Sequence, residues 1–201
     1  MKMTPLERVL LLITGLLAAY QVAIGINGLD TIPIIAYTIA FGVLLVAGLL
    51  LIILGFEVLE SPIVVIVSTV IPLALSLGLV WEHLTAYRIS YLLFVIIGFL
   101  AVVITRSLPM PEKVPIFVIA VIHGIAGLTI FLLPSILASN GSMHPGFALV
   151  GLGGALIGIL GLLLSFLKTG RPIYPRETIL KVFPGLLTLM TSCFVAGFAF
   201  A

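Results

Sequence analysis

Apolar residues run through the chain in seven long blocks, each separated from the next by a short cluster of charged, Pro, Gly or other polar residues. The blocks are Glu7 to Ile26, Pro33 to Phe56, Pro62 to His83, Ser90 to Ile104, Pro115 to Leu137, Phe147 to Leu167 and Ile179 to Ala201. A helix rises about 1.5 Å per residue, so roughly 20 apolar residues cross a hydrocarbon core of about 30 Å. The pattern therefore predicts an all-α, polytopic integral membrane protein: a single bundle domain over residues 1–201 with seven transmembrane helices. Pro5, Pro33, Pro62, Pro115 and Pro145 stand at or just before block starts, where a missing N–H costs nothing. The fourth block is the weakest, with about 15 residues between Ser90 and Arg106, and its flanking side chains are expected to snorkel.

Composition excludes a water-soluble fold: 62% of residues are hydrophobic, 8% are charged, and the mean hydropathy is +1.43. Charge then sets the orientation. Threaded through seven spans, Lys2, Arg8, Arg106, Lys113, Lys168, Arg171, Arg176 and Lys181 share one side, and Arg88 alone lies opposite. By the positive-inside rule the N-terminus is expected in the cytoplasm and the C-terminus outside, in a prokaryotic cytoplasmic membrane. Deleting the fourth span would scramble this asymmetry, which favours seven. No small-x-small cleavage site follows the first block before Asp30, so that block is read as a retained anchor rather than a signal peptide. The net charge of +2 comes from basic loops suited to anionic headgroups, which accounts for the basicity without nucleic acid.

Polar residues within the blocks carry the functional argument, because a polar group in hydrocarbon needs a partner or a cavity. Counted from the basic ends, Pro72, His123, Thr188, Thr191 and Ser192 fall near the midplane. On the third span Ser68, Thr69, Pro72, Ser76 and His83 form one polar stripe, and on the last Lys181, Pro184, Thr188, Thr191 and Ser192 form another. Thr14, Gln21 and Gly25 share a face of the first. Pro72 and Pro184 are read as the only prolines well inside spans, freeing carbonyls at Ser68 and Leu180. Such stripes either pack helices, with hydroxyls bonded to their own backbone, or line a pathway. His123 is the one ionisable side chain near mid-depth, with no second His, Cys or carboxylate expected beside it.

At the outer surface Glu82, His83 and His144 are candidates for a weak metal or pH-sensing site, although adjacent Glu82 and His83 are expected on different helix faces. Glu57 and Glu60 are expected to pair with Arg106 and Lys113, and Asn27 and Asp30 read as turn residues. Gly154 and Gly158 form a GxxxG, a motif of close helix contact within the chain or with a partner. The single cysteine, Cys193, excludes an intramolecular disulfide and a Cys-based metal site. No metal site or cofactor motif is assigned.

Three function classes fit these residues. The first is a non-catalytic integral membrane subunit or assembly factor of a larger membrane complex, in keeping with the short loops and glycine-rich faces. Its partners would be the lipid bilayer and other membrane subunits or further copies of the chain. The alternative is a small-solute or ion transporter or channel with a polar pathway lined by helices 1, 3, 5 and 7. The third is an intramembrane enzyme acting on lipid or quinone, for which no acid, base or nucleophile pair can be assembled from spacing.

Overall fold

A computed structural model describes residues 3–26, 28–111, 113–168 and 174–201, without the side chains of Glu60 and residues 165–168. Lys2, Asn27 and Arg171 lie outside the described residues, as do the Glu60 and Lys168 side chains. Seven long helices make up the fold: α1 (Pro5–Ile24), α2 (Thr31–Leu54), α3 (Pro62–His83), α4 (Arg88–Ser107), α5 (Lys113–Ser139), α6 (Ala148–Lys168) and α7 (Arg176–Phe198). All seven are long and apolar enough to cross a membrane. Short 3-10 turns at Phe56–Glu60, Thr85–Tyr87 and Pro145–Phe147 link α2 to α3, α3 to α4 and α5 to α6.

Local chemistry explains the helix ends. Thr4 caps α1 through a capping box: its Oγ1 accepts the Glu7 N–H at 3.3 Å, and Glu7 Oε2 accepts the Thr4 N–H at 2.7 Å. This gives the buried Glu7 carboxylate a partner. Gly55 ends α2 at φ 75°, a backbone conformation that a Cβ would strain.

Two sequence expectations need correction here. The fourth span is a full 20-residue helix, because α4 takes in polar residues at both ends. Arg88 Nε donates to the Trp81 carbonyl at 2.5 Å, and Thr105 Oγ1 donates to Ala101 O at 2.7 Å, so the polar residues satisfy themselves without ending the helix. Pro134 is a third proline inside a helix, buried in α5, since that helix runs on to Ser139.

Successive packing closes a ring of six helices, α1–α2–α3–α5–α6–α7 and back to α1, with α4 outside it against α3 and α5. The ring is filled by side chains: Leu11, Phe41, Leu44, Leu75, Ile130, Phe147, Met190 and Phe194 belong to one buried cluster. A second cluster of Leu73, Val102, Ile122 and Ala126 seats α4 on α3 and α5. α3 is the most enclosed element, every residue from 71 to 80 being buried. Lipid tails are as apolar as Leu, so this packing is held by dispersion and shape rather than by expulsion of water.

The far end of the bundle, opposite the start of α1, gathers the α1–α2, α3–α4 and α5–α6 connections and the end of α7. Arg88 Nη2 lies 3.4 Å from Asp30 Oδ2 there, and its guanidinium carbon sits 5.5 Å from the centre of the Trp81 ring. Asp30 is therefore an ion-pair partner as well as a turn residue. Of the pairing expected at the basic end, the Glu57 half is not formed: Glu57 is exposed and makes no ion pair with Arg106 or Lys113, and Arg106 Nε has no hydrogen-bond partner among the described residues.

Candidate functional site

At mid-depth the polar stripes resolve into backbone bonds. Ser68 Oγ and Thr69 Oγ1 both donate to Val65 O, at 3.0 and 2.8 Å, and Ser76 Oγ donates to Pro72 O at 2.7 Å. On α7, Thr191 Oγ1 donates to Leu187 O and Ser192 Oγ to Thr188 O, each at 2.8 Å. A hydroxyl closed on its own helix is satisfied in hydrocarbon without any solute. Pro72 is buried beside Thr69 and Ser76, in the enclosed half of α3.

Thr188 differs from its neighbours, because it joins two helices. Its Oγ1 lies 2.8 Å from Pro184 O, 2.9 Å from Leu10 O and 3.0 Å from Thr14 Oγ1, while Thr14 Oγ1 is 3.0 Å from Leu10 O. Two protons serve these four contacts, so the pair forms a polar clasp between α1 and α7. Buried Gln21 donates from Nε2 to Gly25 O at 2.9 Å, closing off the end of α1. α7 packs on α1 and α6, whereas α3 packs on α2, α4 and α5, so the two hydroxyl stripes do not share a helix interface.

His123 is half-buried in α5, and its Nδ1 lies 3.2 Å from Ile119 O, a bond that the Nδ1–H tautomer donates. Among the described residues no three His, Cys, Asp or Glu side chains come together as a metal site. The GxxxG glycines separate in role. A Cβ on Gly154 would lie 2.8 Å from the Ile130 carbonyl carbon and the Phe131 nitrogen, marking close contact of α6 with α5. Exposed Gly158 has nothing within 4 Å of that position.

A cavity of about 340 Å³ lies at the far end, and Tyr37, Glu82, His83, Met143, Phe147 and Phe198 are among the residues that line it. Tyr37 comes from α2, the Glu-His pair from the end of α3, and Phe198 from the last turn of α7. Phe147 ends the turn before α6. The rings pack on one another, with centroids 4.7 Å apart for Tyr37 and Phe198, 6.4 Å for Phe147 and Phe198, and 5.5 Å for His83 and Phe147. Glu82 Oε2 is shut off from solvent and has no hydrogen-bond partner among the described residues.

Glu82 and His83 line one cavity despite their adjacency, which differs from the expectation that they face apart. The last residues of α3 sit at a rim where several helix ends converge, so side chains leaving at different angles reach the same space. His144 does not join them: its ring stacks on Phe200 at 4.5 Å and its Nδ1 accepts the Gly146 N–H at 3.0 Å. Sequence reasoning missed Tyr37, Phe147 and Phe198. Their only sequence signal is aromatic character near span ends, which membrane helices show in general.

No protein-family model, curated protein or solved structure matches the chain.

Proposed function

We propose that this chain is a non-catalytic integral membrane subunit or assembly factor of a larger membrane complex, in a prokaryotic cytoplasmic membrane with its basic loops inside. The carrying observation is that the mid-depth hydroxyls of α3 and α7 donate their protons to helix carbonyls, so that these donors are satisfied without a passing solute. The exposed Gly158 surface on α6 adds a place where a neighbouring helix could approach closely. Mass analysis of the protein drawn from its native membrane in mild detergent tests the reading. Stoichiometric partner proteins are expected, with Gly158→Leu releasing them while the bundle stays folded. A lone chain in that preparation overturns it.

A small-solute transporter is the second reading, favoured by the far-end cavity and by half-buried His123 in α5. Reconstituted flux abolished by His123→Ala would establish it in place of the first.

A further inference from the structure

Given the subunit reading, on which this proposal rests, we propose that α5 receives a transmembrane helix of another subunit beside His123, and that this helix donates a hydrogen bond to His123 Nε2. Nδ1 of His123 lies 3.2 Å from Ile119 O, and only a nitrogen carrying a proton bonds to a carbonyl. An imidazole is mostly neutral at pH 7, its ordinary pKa being about 6.5, so Nε2 is left with the lone pair. Nε2 has no hydrogen-bond partner among the described residues. The buried polar side-chain atoms without a partner are Glu82 Oε2 and Arg106 Nε, so the unpartnered His123 Nε2 is an accessible acceptor. It sits well inside α5, a helix long and apolar enough to cross the membrane, where no bulk water satisfies it. A donor on a neighbouring helix does.

The backbone beside the imidazole is bare. Ala120 and Gly127, three residues before and four after His123, share its side of α5, and Gly124 adjoins them. A Cβ at Gly124 or Gly127 would meet nothing within 4 Å, and the same holds for Gly158 on α6. Where α5 and α6 do touch, at Gly154 and Ile130, that space is used up, so the glycines nearer the basic end are not spent on packing within the chain. Exposed Ala120 and Gly124 keep the small-xxx-small spacing that lets a second helix backbone come close. Open small residues and an accessible polar acceptor are the two features by which membrane helices hold one another. A second copy meeting this face with its own brings no proton. The α5 hydroxyls of Thr129, Ser135 and Ser139 donate to Ile125, Phe131 and Ile136 carbonyls, and a second His123 adds another acceptor. The partner is therefore a different helix, with small residues on its contact face and a Ser, Thr, Asn or Gln near its middle.

Energy transfer between the labelled full chain and a synthetic transmembrane peptide in phosphatidylcholine liposomes tests the proposal. The peptide is an oligo-leucine helix with a Gly-xxx-Gly face and one central Asn, too dilute to self-associate, and its control carries Leu in place of the Asn. The wild type is expected to bind the Asn peptide about three- to tenfold more tightly than the control, the range of one hydrogen bond between membrane helices. His123→Leu should erase that preference and leave control binding unchanged. Gly124→Leu, a second variant at a position where a Cβ meets nothing, should weaken both peptides. Equal affinity of the two peptides for the wild type, a preference that survives His123→Leu, or unchanged binding to Gly124→Leu overturns the proposal. So does a haem or quinone that leaves the natively purified chain only in His123→Leu, which assigns Nε2 to a cofactor. Stoichiometric partner proteins that stay with both His123→Leu and Gly124→Leu sink this proposal and leave the subunit reading standing, whereas a lone wild-type chain sinks that reading itself.

Discussion

At the scale of single residues, Gly154 and Gly158 show how one motif divides once the helices are placed. Their spacing marks a face where helices come close, and that was legible in the sequence. Which glycine is used was not, because it depends on where α5 and α6 approach. A Cβ at Gly154 would press on the backbone of Ile130 and Phe131, which cannot rotate away as a side chain tip can. Gly154→Ala is therefore expected to destabilise the bundle by about 1–3 kcal/mol, the usual cost of overpacking. Gly158→Ala meets no neighbour and should be neutral, or stabilising by up to about 1 kcal/mol through reduced backbone freedom in the unfolded chain. Unfolding of both variants in detergent checks the contrast, and equal losses would mean that the close approach is misplaced.

At the scale of helices, the Thr14–Thr188 clasp joins α1 to α7, the first and last elements of the chain. Both threonines stood out in the sequence as polar residues on membrane spans, yet nothing there pairs residues so far apart along the chain. Polar bonds between membrane helices contribute less than burial in hydrocarbon suggests, since the unfolded state in the membrane also finds partners. Thr188→Val keeps the shape and removes the hydroxyl. It is expected to cost about 0.6 kcal/mol, and no more than about 1.7, in reversible unfolding with denaturing detergent. A loss of several kcal/mol would mean that the clasp organises more of the bundle than these contacts describe. The pair Arg88–Asp30 is partly solvated, at 30% and 60% side-chain exposure, and is worth about 0–1 kcal/mol by comparison. It fixes the position of the α3–α4 connection more than it stabilises the fold.

At the scale of the molecule, six helices close a packed ring and α4 lies outside it. This order explains why the α4 surface is so largely exposed, with Ile89, Leu93, Ile97 and Leu100 all turned outward. Apolar side chains exposed in this way suit contact with lipid or with another membrane helix. The orientation drawn from the basic loops makes its own prediction. A cysteine placed at Ser142, in the far-end connection, should react with a membrane-impermeant maleimide on intact cells, and one placed at Met110 only after lysis. Native Cys193 is buried and should contribute little background. Labelling in the opposite pattern would invert the bundle.

The sequence by itself determined that the chain is a seven-helix membrane protein, where each helix begins and ends within a few residues, and which side chains are polar at mid-depth. It could do so because hydrocarbon thickness fixes span length, and because proline, glycine and charge act on the backbone locally. Only the tertiary structure decided that α4 stands outside the ring, that Thr14 meets Thr188, that Gly154 packs while Gly158 does not, and that Glu82 and His83 share a cavity with Tyr37, Phe147 and Phe198. These facts concern which helix faces which, and in lipid that is chosen by shape and a few hydrogen bonds between distant segments, which the apolar pattern along each span does not specify.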